Sequence, residues 1–211
     1  MKRHTLVCFG DSITHGMGLA ENDRWTTRLA FLLEQEHPDA FTIYNRGCGG
    51  NTTALALDRI KTDVLSLMPS TVLIEFGIND GYVNPWCLKP RVGLTEYVRN
   101  LGEIVDVVRR HHGTPVVIIN HPAGADSKFH WQGNGRTVPQ NQAPYTTAAR
   151  RFTTKNGIAC IDLPRLIRTA RIDPGTLLAE DKVHLSITGN RIYAGLIASS
   201  LKRVVPNLFK P

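Results

Sequence analysis

Five short apolar runs punctuate the chain: TLVCF (5–9), FTIYN (41–45), TVLIEF (71–76), PVVIIN (115–120) and IACIDL (158–163), with Gly, Pro, Asn or Asp at their borders. Runs this short and this continuous predict strands buried on both faces. Between them the pattern changes to helical spacing. It is clearest over 94–108, where Leu94, Val98, Leu101, Val105 and Val108 recur in three- and four-residue steps and Tyr97 and Ile104 widen the stripe. A second helix ends at KNG, with Gly157 as its stop. A last one begins near Ser186 and sets Ile192, Leu196 and Ser199 on one face, with Lys202 and Arg203 in the final turn, where cations suit the helix dipole. Strand alternating with helix five times predicts an α/β fold, a five-stranded parallel sheet with helices on both faces. Two stretches read as long irregular loops, 81–93 and 121–144, and loops of such length in a compact domain are usually functional.

Composition narrows the picture. A chain of 211 residues, 42% hydrophobic, is enough for one well-filled core and short for two, so a single domain over 1–211 is expected. No stretch approaches the ~20 uninterrupted apolar residues of a membrane span. The opening MKRHTLVCFG runs straight into a strand with no small-residue cleavage site, which predicts a soluble, unexported, cytoplasmic chain. Four widely spaced cysteines, Cys8, Cys48, Cys87 and Cys160, suit neither zinc nor a disulfide scaffold and fit reduced thiols. The formal charge of +7 comes from 25 scattered Lys and Arg, grouped only around Arg150, Arg151, Lys155, Arg165, Arg168 and Arg171. That reads as a solvated surface with no nucleic-acid partner.

Parallel sheets bind ligands beyond the carboxyl ends of their strands. The first run is followed there by Gly10-Asp11-Ser12, the second by NRGCGGNTT (45–53) and the third by FGINDG (76–81). Ser12, just past a strand and opening a helix, is either the cap of that helix or an exposed nucleophile. A nucleophile needs a base. Of eight histidines, His184 has a carboxylate three residues before it in a short polar stretch, EDKVHLS, just ahead of the last helix. That spacing lets Asp181 fold back onto one imidazole nitrogen and turn the other toward the serine. Acyl transfer also needs donors for a developing oxyanion, and Gly50, Asn79 and the Ser12 amide supply them, although the same glycines and Asn-Asp-Gly are ordinary turn residues too. Asp11 and Asp80 read as loop anchors, and Cys48 as a thiol that no Asp-x-x-His logic addresses.

These residues together resemble the SGNH hydrolase family, the GDSL-type esterases and lipases. FGDSIT is similar to its nucleophile block, NRGCGGNTT to the block with the oxyanion glycine, GIND to the Gly-x-Asn-Asp block and DKVH to the C-terminal Asp-x-x-His block, in family order. The resemblance implies Ser12 as nucleophile, His184 as base, Asp181 as its partner, and Ser12, Gly50 and Asn79 as oxyanion donors. It also implies a flavodoxin-like three-layer αβα sandwich, with no metal and no cofactor. Ile13 stands where the family usually has Leu, and Gly47 and Gly49 leave the choice of glycine open; Gly50 is taken because it precedes NTT. The Gly-x-Ser-x-Gly elbow of the α/β-hydrolases is absent.

The expected activity is hydrolysis of a small carboxylic ester, a short-acyl esterase or deacetylase acting through an acyl-enzyme. The alternative is a non-enzymatic flavodoxin-like module holding a nucleotide phosphate on RGCGGN, which lacks both G-x-G-x-x-G and the P-loop pattern. For the substrate, Tyr82, Trp86, Phe129 and Trp131 in the two long loops, with His121 at the fourth strand end, are the expected pocket residues. Arg91, Lys128 and Arg136 would favour an anionic alcohol part.

Overall fold

The computed structural model describes residues 3–127 and 132–209. All five apolar runs form strands: β1 (His4–Gly10), β2 (Phe41–Gly47), β3 (Thr71–Glu75), β4 (Thr114–Ile119) and β5 (Ala159–Asp162). They pair in parallel in the order β2-β1-β3-β4-β5, the order of flavodoxin-like sheets. Alternate residues of β1, β3 and β4 enter different layers, which explains why those runs are continuous rather than alternating, whereas the edge strand β2 is only partly buried beyond Phe41. Leu6, Cys8, Leu73, Val116 and Ile118 pack on one side with α2 (Trp25–Glu36) and α9 (Ile187–Val204), through Trp25, Leu29, Leu33, Tyr193, Ile197 and Leu201. Val7, Phe9, Val72, Ile74 and Val117 pack on the other with α3 (Thr53–Asp63), α5 (Leu94–Arg110) and α6 (Val138–Lys155).

Three sequence expectations shift. The buried line of α5 is Tyr97, Leu101, Ile104, Val105 and Val108, leaving Leu94 exposed and Val98 half-buried at the rim. The face that α9 packs is Tyr193, Ala194, Ile197 and Leu201, one step on from Ile192, Leu196 and Ser199. The loop expected over 121–144 ends at 137, because α6 starts at Val138 despite its prolines. Thr137 caps α6 in a reciprocal box with Gln140, and Pro139 occupies the first turn, where its missing N–H has no helical partner to lose. Pro144 is carried inside the helix.

Close approach shapes the carboxyl edge. The one-turn helix α1 (Ser12–His15) lies against the end of β2, where a Cβ on Gly47 would stand 2.1 Å from the amide nitrogen of His15. Only glycine fits there. The four-residue α4 (Ile78–Gly81) follows β3 at the same edge, and α7 (Leu163–Thr169) and α8 (Pro174–Leu177) lead to the turn before α9.

Candidate active site

The cap of α1 is Asp11, not Ser12: Asp11 Oδ1 accepts from the Ile13 amide at 2.9 Å. Ser12 is thereby left as the first helical residue, with its hydroxyl directed elsewhere. His184 Nε2 lies 2.9 Å from Ser12 Oγ, and His184 Nδ1 lies 2.6 Å from Asp181 Oδ2. The other Asp181 oxygen accepts from the amides of Val183 at 2.9 Å and His184 at 2.8 Å. Burial works to raise the Asp181 carboxyl, but the hydrogen bonds from His184 and from these two amides outweigh it and hold the group below its usual range. An ionised Asp181 accepts only, so the imidazole hydrogen sits on Nδ1 and a bare Nε2 faces the serine hydroxyl.

The turn bearing His184 is held from three directions. Ala179 N donates to His184 O at 2.8 Å, Gly124 N donates to Lys182 O at 2.7 Å, and His121 Nε2 lies 2.8 Å from Val183 O.

Ser12, Gly50, Asn79 and His184 line one cavity of about 290 Å³. Gly50 has φ +72, a conformation that side-chain-bearing residues rarely adopt, and its carbonyl accepts from Arg91 Nη1 at 2.9 Å. Among the described residues, the N–H groups of Ser12 and Gly50 donate to no protein atom. Asn79 Nδ2 is buried without a partner. The Asn79 side chain is near enough to Asp11 to favour its ionised form slightly, yet Asp11 Oδ2 also lacks a hydrogen bond. Three residues with unused N–H groups thus line one cavity with the serine hydroxyl.

Asp80 anchors its loop as expected, accepting from Thr53 N at 3.0 Å and Thr53 Oγ1 at 2.5 Å. Arg59 of α3 is a residue that sequence reasoning missed. It donates to the carbonyls of Gly10 at 2.7 Å and Arg46 at 2.9 Å and to Asn51 Oδ1 at 2.7 Å, and it lies over the Phe9 ring at 4.4 Å. One guanidinium therefore ties the serine loop to the glycine loop, and nothing in ALALDRIK distinguishes it from a surface arginine.

The expected pocket residues divide. Tyr82 lines the cavity and so does Arg91. Trp86 is 82% exposed and lies outside it, because its segment of the loop projects into solvent. His121 is also outside, fully buried beneath the His184 turn, where its ring bonds to backbone and to Tyr193. Arg136 belongs to a separate groove between α5 and α6. Trp131, Phe129 and Lys128 lie outside the described residues. Ile78 and Val183, the variable positions of the GIND and DKVH blocks, complete the lining with Met17, Asn84 and Val138, which no motif announces. Among the described residues no group of three His, Cys, Asp or Glu is placed to hold a metal, and no helix is long and apolar enough to cross a membrane.

Residues 8–192 match the model of the GDSL-like Lipase/Acylhydrolase family. The chain is 31% identical over 157 residues to the uncharacterized lipoprotein YqeF of Bacillus subtilis, covering 72% of this chain and 59% of that one. It therefore spans less than two thirds of that relative. It is 27% identical over 219 residues to the GDSL esterase/lipase CPRD49 of Arabidopsis thaliana, covering 95% of this chain and 79% of the relative. The structure is similar to a lipase/acylhydrolase from Enterococcus faecalis, with a TM-score of 0.78 at 22% identity over 95% of this chain and 96% of the other, a likeness of fold.

Proposed function

Since the chain belongs to the GDSL-like lipase/acylhydrolase family, we propose that it hydrolyses small carboxylic esters through an acyl-enzyme on Ser12. The observation that carries this reading is the Ser12–His184–Asp181 chain, at 2.9 and 2.6 Å, opening on the cavity that also holds the unpartnered Asn79 amide. His184 Nε2 takes the Ser12 proton as Oγ attacks the ester carbonyl, and Asp181 stabilises the imidazolium that forms. The negative charge on the former carbonyl oxygen is met by the N–H groups of Ser12 and Gly50 and by Asn79 Nδ2. These donors are in place beforehand and cost little reorganisation. His184 then gives its proton to the departing alcohol, leaving the acyl group on Ser12, and a water activated by the same nitrogen releases the acid.

The cavity size supports a class of small substrates. With about 290 Å³ for acyl and alcohol parts together, the site has room for only a few methylenes, each contributing ~0.8 kcal/mol. Acyl groups from acetyl to about butyryl should be turned over fastest. Arg91 at the cavity rim suits an alcohol part that carries negative charge. Two measurements test the reading. A fluorophosphonate should label wild-type protein and not Ser12→Ala or His184→Ala, and a p-nitrophenyl ester series should decline beyond butyryl. Labelling that survives Ser12→Ala would remove the serine from the chemistry, and faster turnover of an octanoyl ester would overturn the short-acyl assignment.

A further inference from the structure

Behind the Ser12 turn lies a group of buried polar side chains that the proposed chemistry does not use. Glu75, the last residue of β3, is fully buried, as are Thr14, His121 and Tyr193. Both its oxygens are engaged: Oε2 accepts from Thr14 Oγ1 at 2.5 Å, and Oε1 lies 2.7 Å from the Tyr193 hydroxyl. That hydroxyl lies 3.3 Å from His121 Nδ1, and His121 Nε2 lies 2.8 Å from the carbonyl of Val183, the residue before His184. An unbroken file of polar atoms thus joins α1, which carries Ser12, to the turn that carries His184.

The chemistry of these groups orders their hydrogens. A backbone carbonyl only accepts, so His121 Nε2 carries a hydrogen toward Val183. In a neutral imidazole Nδ1 is then a bare acceptor, and the donor facing it is the Tyr193 hydroxyl. Tyr193 has one hydrogen. Once it points at His121, the short contact to Glu75 needs a donor on the glutamate side, which only the protonated acid provides. With Glu75 ionised, the tyrosine hydrogen turns to the carboxylate, and lone pairs face each other between Tyr193 and His121.

Below about pH 7 the surroundings favour the first arrangement. Burial lowers His121 to about 4, with His184 adding to this effect while Val183 O and Asp181 act against it. Burial raises Glu75 to about 7, although Thr14 and Tyr193 bond to it. Asp11 at the head of α1 is itself pushed well above its usual range, by burial first and then by Glu75 and Asp80, and the Cys8 thiol on β1 is raised by burial and by Glu75. Among the described residues no lysine or arginine bonds to Glu75.

We propose that Glu75, as a neutral acid, is a positioning residue of the site: through Thr14 it fixes the Ser12 turn, and through Tyr193 and His121 it fixes the backbone at Val183 and His184. The hydroxyl and the imidazole on two separate segments are thereby kept within 2.9 Å. The catalytic consequence rests on the serine-hydrolase reading, whereas the order of hydrogens does not.

Two substitutions and one spectrum test this. Tyr193→Phe keeps the packed ring and removes the hydroxyl, so circular dichroism should stay native while kcat on a short ester falls roughly ten- to a hundredfold with KM unchanged. Glu75→Gln keeps one donor and one acceptor without charge, so its kcat should stay within about twofold of wild type. A wild-type kcat in Tyr193→Phe, or a Glu75→Gln as impaired as Tyr193→Phe, overturns the proposal. Long-range proton–nitrogen NMR of His121 in wild-type protein should show Nε2 protonated and Nδ1 bare. A protonated Nδ1 overturns the hydrogen order whatever the protein hydrolyses, and failure of the wild type to react with a fluorophosphonate would count against the serine reading alone.

Discussion

Asn79 is the residue at which turn chemistry and catalysis make opposite demands. A turn asparagine satisfies its own amide by bonding to nearby backbone, yet Asn79 Nδ2 is buried with no partner on the wall of the cavity. An orphaned buried donor costs stability unless a ligand or transition state completes it. Asn79→Ala should therefore lower kcat by ~10²–10³ with a much smaller change in KM, because the donor acts on charge that exists mainly in the transition state. Steady-state constants on one acetyl ester, with circular dichroism to confirm folding, decide it; an unchanged kcat would take Asn79 out of the site. The motif blocks made this residue legible, along with Ser12, Gly50, Asp181 and His184. His121 was misplaced for a physical reason: a strand-end histidine looks available to substrate until the packing of Tyr193 and Val183 around it is known.

At the scale of elements, α3 does more than cover the sheet. Its Arg59 gathers two strand-end carbonyls and Asn51 into one guanidinium fork, with the Asp63 carboxylate at 2.6 Å fixing the fork from behind. Lysine cannot reproduce that geometry, because its compact ammonium has no planar set of donors. Arg59→Lys should lose about 2 kcal/mol in urea unfolding, and kcat should fall as the loops of Ser12 and Gly50 loosen relative to each other. An unchanged midpoint and kcat would show the bonds to be incidental. Helix α6 shows why some boundaries were hidden. Its prolines are turn signals in a linear reading, and only the Thr137–Gln140 box and the contacts of Gln142 with Ala123 N and His121 O make helix the better solution.

For the whole molecule, Glu75 and His121 make stability depend on pH in opposite directions. His121 is neutral in the fold down to about 4, whereas the unfolded chain binds that proton near 6.5. Its contribution is therefore complete above 6.5 and is lost as pH falls toward 4, by roughly 3 kcal/mol at most. Glu75 holds its proton up to about 7, whereas the unfolded chain releases it near 4.5. Its contribution is complete below 4.5 and is lost as pH rises through 7. Between 4.5 and 6.5 the two slopes oppose each other, so the wild type should be nearly flat there. Glu75→Gln should unmask the acid loss, and His121→Gln should unmask the decline toward neutral pH. Urea unfolding at pH 5, 6, 7 and 8 reads both, and parallel curves for all three proteins would refute the assignment.

The sequence by itself determined the five strands, their parallel arrangement and the groups at their carboxyl ends. Continuous apolar runs admit few alternatives, and the proposed nucleophile, base with its carboxylate and oxyanion donors leave marks at short range, in Gly-Asp-Ser, Gly-Ile-Asn-Asp and Asp-x-x-His. Tertiary structure alone decided which face of α9 is buried, where α6 begins, that Trp86 is in solvent, and that Arg59, Glu75, Tyr193 and His121 support the site from behind. These depend on pairs far apart along the chain, 118 positions between Glu75 and Tyr193 and 165 between Trp25 and Asn190. A buried polar group takes its meaning from the partner that packing brings to it, and no local pattern encodes that partner.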